Sequence, residues 1–250
     1  MIVANMDVKD MERSELDLLF GAIAVGDRAG VRRRLVASPD LASRAIDTGA
    51  SRQSESPYYL EPIERHVYAG DTALHIAAAA YRPDIADDLV RRGADVRARN
   101  RRGAEPLHSA SVGQPGSHTW RPEAQASVVE YLLRAGADPN VTDKIGATAL
   151  HRAVRTRCAA AVRVLLAFGA DPRRPNGSGS TPLHLAVQNT GRGGTGSVDA
   201  RAQQAEIVGL LVEHGARPTD TDDRQKTVIE SISAAWLQEV AREQWGWRSP

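Results

Sequence analysis

The chain has 250 residues, of which 42% are hydrophobic and only 4% aromatic, so its core has to be built from aliphatic side chains and alanine. Its formal net charge of +1 argues neither for nor against nucleic acid as a partner, and its single cysteine, Cys158, excludes an intramolecular disulfide. No run of about 18 apolar residues occurs, so no membrane-spanning helix is expected.

The N-terminal region predicts a flexible segment and then a pair of helices. Residues 1–13 are acidic and lack a long apolar run, so they are not expected to be a secretory signal, and a cytoplasmic protein is the expectation. Residues 14–17 predict the start of a helix, because a hydroxyl followed three residues later by a carboxylate forms a capping box. A second helix over residues 30–36 completes an N-terminal capping repeat at 14–46.

A long insertion follows at residues 47–69. It is rich in serine, glycine, proline and arginine, and a loop of this length without structure of its own is usually functional or disordered. Tyr58 and Tyr59 are large aromatic side chains within it, of the kind that anchors protein interfaces. The alternative is that these aromatic rings fold back and cover a helix.

Four segments of similar sequence make up most of the remaining chain. Each contains a histidine in the same setting, and the histidines are 33, 43 and 33 residues apart: His75, His108, His151 and His184. A glycine–alanine pair follows in each segment, at residues 93–94, 136–137, 169–170 and 215–216. Two motifs in phase with this period predict stacked helix pairs. The predicted repeats are residues 70–102, 103–145, 146–178 and 179–224.

Two of these repeats carry insertions at the turn between their helices. Ten extra residues fall at 111–122, and the fourth repeat has a glycine-rich excess at 190–202. Residues 225–240 predict a C-terminal capping repeat, in which Glu230 takes the place of the histidine, and residues 241–250 are expected to form a tail.

The sequence Thr-Pro-Leu-His at residues 181–184, its three echoes and the glycine–alanine pairs resemble the ankyrin-repeat family, and the resemblance covers most of the chain. It implies an all-α, ankyrin-repeat solenoid of about six helix-turn-helix units, with N- and C-terminal caps and three loop insertions. We expect one domain over residues 14–240. Only three of the 32 basic residues are lysines, which is typical of a GC-rich, bacterial genome.

The repeat histidines raise the question of a metal site. Neighbouring repeats lie roughly 10 Å apart, which is the usual distance between packed helices, whereas a metal ion is held at about 2 Å. No metal or other cofactor is therefore expected. In the resembling family this histidine ties one repeat to the next, which implies a structural role for His75, His108, His151 and His184.

Catalysis is not expected either. Cys158 lies seven residues after His151, but nothing in the sequence supplies an orienting third group or an oxyanion hole. The glycine-rich residues 191–194 lack the preceding strand and the following lysine of a phosphate-binding loop. We expect that the protein is not an enzyme.

Basic residues crowd the predicted hairpin fingers between repeats. In the resembling family, finger tips and the exposed end of the first helix of each repeat form a concave recognition surface. The candidate partner-binding residues on that surface are Arg97, Arg99, Arg101, Arg102, Lys144, Ile145, Arg155, Thr156, Gln188 and Asn189. Three aromatic side chains on the insertions are further candidates: Tyr58, Tyr59 and Trp120.

The resemblance implies a non-catalytic protein–protein interaction scaffold, which we expect to be a monomer without a membrane partner. Arginine forks bind carboxylates in pairs, so an acidic peptide or protein surface is the expected protein partner. A charged face that is only solvated is an alternative for the basic residues. Nucleic-acid binding through the arginine fingers is the alternative function, against which the near-neutral charge and the lack of an aromatic stacking platform weigh.

Overall fold

The structure is a computed structural model of the chain, and it describes residues 8–51, 58–115, 117, 120–188 and 198–247. The fold class is an all-α repeat solenoid, with eleven α-helices and one short hairpin among the described residues. No helix in this part of the chain is both long enough and apolar enough to cross a membrane.

Most of the helices follow one another in pairs, each pair belonging to one repeat. The first helices of the repeats are α1 (Val8–Val25), α3 (Ala73–Ala79), α5 (Pro106–Ala110), α7 (Ala149–Arg155) and α9 (Pro182–Ala186). The second helices are α2 (Arg28–Ala37), α4 (Pro83–Val90), α6 (Pro122–Arg134), α8 (Ala159–Ala167) and α10 (Val198–Glu213). A 3-10 turn, Ile229–Ser231, and α11 (Ala235–Trp245) end the described chain.

The backbone groups into two compact units. The N-terminal unit comprises Met1–Ala110 and Arg134–Ala137, and the C-terminal unit comprises Ser111–Leu133 and Asp138–Pro250. The expected single domain over residues 14–240 stays a prediction.

Helix α1 begins earlier than the sequence pattern predicted. It starts at Val8, whereas the capping box at residues 14–17 predicted a start at Ser14 and a flexible segment before it. The helix extends in the N-terminal direction because no proline or glycine interrupts residues 8–20. Residues 1–7 lie outside the described part of the chain.

The N-terminal unit packs α1 against α2 and α3, and α3 against α4 and α5. Phe20, which stands in the position of the repeat histidine, is 1% exposed and fills the core of this unit with Leu19 and Ile23. Between α2 and α4, Asp88 accepts hydrogen bonds from Arg28 (2.7 Å) and Arg32 (3.0 Å). The hydrogen bonds from Arg32 and Arg28 lower the pKa of Asp88 to about 2, so the carboxylate stays charged and holds the helices together.

In the C-terminal unit, α7 packs against α8 and α9, and α10 packs against α8 and α9. Helix α10 begins at Val198, so part of the predicted insertion at 190–202 extends the helix in the N-terminal direction. Residues 189–197 lie outside the described part.

The predicted tail is partly helical. Helix α11 continues to Trp245 and ends at Gly246, which adopts a left-handed conformation with φ +66°. The ring of Trp247 packs against Trp245, with 5.2 Å between the centroids, and Trp247 is 7% exposed. Burial of the Trp247 ring against Trp245 explains why residues 241–247 stay with the fold. Residues 248–250 lie outside the described part.

Each finger contains a left-handed residue two positions before the residue that caps the next first helix. Glycine fills this position in four fingers, including Gly146 at φ +74°, whereas Gln225 fills it in the last finger at φ +60°. A Cβ atom added at Gly146 would lie 2.5 Å from the backbone nitrogen of Gly177, so the backbone leaves no room for a side chain there. Gln225 is exposed, so its side chain can be removed without loss of packing.

We predict that Gln225→Gly stabilises the protein by roughly 0.5–1 kcal/mol, because a left-handed conformation is strained for a residue with a Cβ atom. The matched variant Gly146→Ala is expected to destabilise it by at least about 1 kcal/mol, since it adds strain and a backbone clash. Urea denaturation of both variants measures the two shifts. A loss of stability in Gln225→Gly would contradict this account.

Candidate functional site

The fingers are closed by an asparagine or aspartate side chain at a fixed position. Asn100 Oδ1 accepts hydrogen bonds from the backbone N–H groups of Arg102 (2.9 Å) and Ala104 (3.1 Å). Asp143 Oδ1 does the same for Ile145 (3.0 Å) and Ala147 (2.9 Å). Finger-tip residues are therefore held in one backbone conformation.

The same pair of bonds recurs at Asn176 and Asp222. These four residues were not among those predicted from the sequence. A signal was present, because each lies five residues before Glu105 or the capping threonine that begins the next repeat.

The repeat histidines bond to two backbone segments at once. His75 Nδ1 accepts a hydrogen bond from the backbone N–H of Thr72 (3.1 Å), so Nε2 carries the proton and donates to the carbonyl oxygen of Ala104 (3.0 Å) in the next finger. Equivalent Nε2 bonds join His151 to Ser180 (3.1 Å) and His184 to Lys226 (3.2 Å). Each bond fixes the finger that follows.

The remaining histidine and its C-terminal substitute cap helices in the same way. His108 Nδ1 accepts from the backbone N–H of Glu105 (3.1 Å). In the last repeat, Glu230 Oε2 accepts from both the backbone N–H and the hydroxyl of Thr227, each at 2.7 Å. The backbone hydrogen bond lowers the pKa of Glu230, so a carboxylate performs the capping function of the imidazole.

Four predicted partner-binding arginines lie in the N-terminal unit, and each contacts the chain itself. Arg97 donates to the carbonyl oxygen of Gly136 (3.1 Å). Arg99 forms an ion pair with Glu105 (3.2 Å). Arg101 donates to the carbonyl oxygen of Ala50, and the ring of Tyr68 faces the guanidinium groups of Arg101 and Arg102 at 5.6 and 4.9 Å. These cations are exposed, and each already makes at least one contact within the chain.

The long insertion of the N-terminal unit contains a small hairpin, with β1 (Tyr59–Leu60) antiparallel to β2 (Arg65–His66). Tyr59 packs against His66, with 4.9 Å between ring centroids, and is 43% exposed. Tyr58 donates its hydroxyl to Thr48 Oγ1 (3.0 Å). Both tyrosines therefore fold onto the insertion while keeping part of their surface in solvent.

The predicted residues of the C-terminal unit are more accessible. Lys144, Arg155 and Gln188 are exposed, and Ile145 is 64% exposed although it is a large apolar side chain. No ion pair involves Lys144 or Arg155 in the part of the chain that the structure describes. Asn189 lies outside the described residues.

Trp120 and Thr156 are used within the C-terminal unit. The Trp120 indole donates to Gln125 Oε1 (2.8 Å), and Gln125 is fully buried. Its ring lies against Gly113, where an added Cβ atom would come within 3.0 Å of the indole. Thr156 Oγ1 accepts from the backbone N–H of Gly113 (2.8 Å). Trp120 therefore folds back onto α6, which is the alternative to an exposed interface anchor.

An ion pair joins a finger to a helix in the C-terminal unit. Asp143 accepts from Arg152 of α7 (2.6 Å), and the two side chains are 3% and 18% exposed. Burial raises the pKa of Asp143, but hydrogen bonds from Arg152 and from backbone N–H groups outweigh this effect and leave the pKa below its usual range. The finger tip with Lys144 and Ile145 is thus tied to the helix that carries Arg155.

No group of histidine, cysteine, aspartate or glutamate side chains within the described ranges could hold a metal ion. Cys158 is buried, and burial raises the pKa of its thiol to about 11, so it is a protonated core residue at neutral pH.

Comparisons with known families agree with the repeat geometry. A family model described as ankyrin repeats, in three copies, matches residues 122–222, and a model described as an ankyrin repeat matches residues 69–101. Together they cover more than half of the chain. A search of curated proteins finds no match.

The buried histidines predict a dependence of stability on pH. Burial lowers the pKa values of His75 and His151, whereas both are about 6.5 in the unfolded chain. The unfolded chain therefore binds protons first as the pH falls, and the free energy of unfolding decreases between about pH 7 and pH 5. Urea denaturation across this range measures the slope.

The carboxylates with lowered pKa values lose their contribution only as the pH falls below about 4.5, so they do not obscure this window: Asp88, Asp143, Asp222 and Glu230. His151→Gln removes one titrating group and should reduce the slope as well as the stability. An unchanged slope in this variant would show that His151 does not contribute to the pH dependence of stability.

A substitution at Asp143 can separate its ion pair with Arg152 from its role in closing the finger. Asp143→Asn keeps the Oδ1 acceptor, as Asn100 and Asn176 show, but loses the charge that pairs with Arg152. We expect a loss of about 1.5–3 kcal/mol. A double-mutant cycle with Arg152→Leu, the residue at the equivalent position 185, measures the coupling. Additive effects would contradict it.

Proposed function

The chain belongs to the ankyrin-repeat family, whose repeats generally mediate protein–protein interaction, and we propose that it is a scaffold that binds an acidic peptide or protein surface through its finger tips and the exposed ends of its first helices. Proteins of this family are typically non-catalytic. The observation that carries the proposal is that two cations without an ion pair among the described residues and one large apolar side chain are exposed in the C-terminal unit: Lys144, Arg155 and Ile145.

We call Lys144, Ile145, Arg155 and Gln188 the C-terminal face. Its charge is uncompensated because the nearest finger carboxylate, Asp143, is already bound by Arg152. The next finger differs, since Arg173 pairs with Asp220 at 2.9 Å. Two free cations attract carboxylates and speed association, and the arginine can bind a carboxylate with two parallel hydrogen bonds.

The C-terminal face is also preorganised. Asp143 Oδ1 fixes the backbone of Ile145, and Asp143 Oδ2 binds Arg152 on α7. A rigid surface loses little conformational entropy on binding, so weak individual contacts produce useful affinity. Ile145 supplies apolar area that would be covered by a partner.

The other proposed residues contribute less directly. The arginines of the N-terminal unit are engaged by Gly136, Glu105, Ala50 and Tyr68, so a partner has to replace these contacts. Trp120 supports the inter-helix turn. Tyr59 keeps an exposed edge and remains a candidate anchor.

Nucleic-acid binding through the arginine fingers stays the alternative function, and a measurement separates the two. A protein that neutralises phosphates loses affinity steeply and linearly as log salt concentration rises. Binding of a single-stranded oligonucleotide with such a slope, in preference to an acidic peptide, would replace the proposal.

The proposal predicts that a fluorescein-labelled hexaglutamate peptide binds the protein at low salt, as measured by fluorescence anisotropy. Lys144→Glu/Arg155→Glu should weaken binding at least about tenfold, because two attractive charges become repulsive. Arg217→Glu is the matched control, since it reverses an exposed charge after α10 outside the C-terminal face, and it should change affinity far less. Equal losses in both variants would overturn the proposed face.

A further inference from the structure

The long insertion is an enlarged finger with a closed base. The backbone N–H of Ile46 donates to Asp71 O (2.9 Å), and that of Gly70 donates to Ile46 O (2.7 Å). One step further out, Ala50 N–H donates to Val67 O (2.8 Å). The chain therefore leaves and rejoins the repeat at the same point, where the other repeats have a short finger.

The outer part of this finger turns back onto a first helix. We call its described residues, 58–68, the strap. Between its two short strands lies a 3-10 turn, Glu61–Ile63, and Ile63 is 8% exposed. The guanidinium group of Arg65 donates to the carbonyl oxygen and to the hydroxyl of Ser109 in α5, both at 3.2 Å. The strap is thus attached to α5 through two hydrogen bonds.

Exposure along the first helices differs between the two units. The position one residue after the repeat histidine is Ile76 in α3 and Ser109 in α5, and each is 2% exposed. The position four residues after the histidine is Ala79 in α3, at 3% exposure, whereas Arg155 and Gln188 at the equivalent positions are exposed. The helix ends proposed to meet a partner are therefore exposed in the C-terminal unit and buried in the N-terminal unit.

The strap also contacts two arginines of the adjacent finger. Arg101 donates to Ala50 O at the base of the enlarged finger, and Tyr68 at the end of the strap faces both Arg101 and Arg102. The strap therefore contacts α5 through Arg65 and two cations of the adjacent finger tip through Tyr68.

We propose that the strap is an intramolecular occupant of the recognition face of the N-terminal unit, held by the Arg65–Ser109 contact, and that its release opens this face to an acidic partner. That the strap covers this face does not depend on the proposed function, whereas binding of an acidic partner to the opened face rests on it. Release separates Tyr68 from the guanidinium groups of Arg101 and Arg102 and uncovers α3 and α5.

The closed strap is poised for release rather than locked. His66 Nδ1 is buried and has no hydrogen-bond partner among the described residues, which is a desolvation cost that opening relieves. The paired strands are only two residues each, and the attachment to α5 is polar. Short paired segments are among the parts of a fold that open locally, and opening of this one would expose the buried side chains of Ile63 and Val67.

Thiol labelling tests the covering without any ligand. Ala79→Cys places a thiol at the covered position, and the native Cys158 is fully buried and reacts slowly. Adding Arg65→Ala should raise the labelling rate of this thiol by Ellman's reagent about tenfold, since two hydrogen bonds that hold the strap are lost. Arg33→Ala, an exposed arginine of α2, is the control and should leave the rate unchanged.

An unchanged rate in the Arg65→Ala variant, with the fold retained by circular dichroism, overturns the proposal. A similar acceleration with Arg33→Ala also overturns it, because that would indicate general loosening rather than release of the strap.

A second experiment tests what the opened face binds. In the Lys144→Glu/Arg155→Glu background, Arg65→Ala should restore binding of the labelled hexaglutamate peptide by about fivefold, although it removes a positive charge. Further substitution of Arg101→Glu and Arg102→Glu should abolish the gain. Faster labelling without restored binding would support the covering of the face by the strap but would rule out an acidic partner for this face. Failure of the unmodified protein to bind hexaglutamate would instead count against the proposed function.

Discussion

The structure depends on a histidine that satisfies two buried backbone groups in different repeats. Its Nδ1 accepts the N–H of the residue that begins a first helix, and this bond leaves the proton on Nε2, which reaches a carbonyl oxygen of the next finger. Both partners are buried and would be costly if unpaired. The bond therefore sets the position of each finger relative to the helix before it, and so the finger tips are held in defined positions.

The repeat register could be predicted from the sequence because the chemistry that defines it is local. His75 and Thr72 are three residues apart, and Glu230 with Thr227 repeats the spacing with a carboxylate. The ends of elements were harder to predict, as the early start of α1 and the helical residues 241–245 show. These ends depend on packing and on the absence of a helix breaker, for which one capping pattern is a weak guide.

The accessibility of the candidate residues could not be predicted from spacing. Arg97 and Arg101 bond to carbonyl oxygens 39 and 51 residues away, and no local pattern indicates such contacts. Lys144 and Arg155 stay free because Asp143, the acid that directly precedes Lys144, is bound by Arg152. The asparagine and aspartate residues that close the fingers were accessible to sequence reasoning, since their distance from the next helix cap is constant.

The position of an insertion within a repeat determines its effect on recognition. The insertions before α6 and α10 lie at the turn between two helices, and the described parts of them extend the second helix or pack against it, as Trp120 does with Gln125. The insertion at 47–69 enlarges a finger, so its outer part can reach the ends of the first helices, and Arg65 does so at Ser109. A chain with the same repeats but a short first finger would leave those ends open, and so the enlarged finger, rather than the repeats, makes the two faces different.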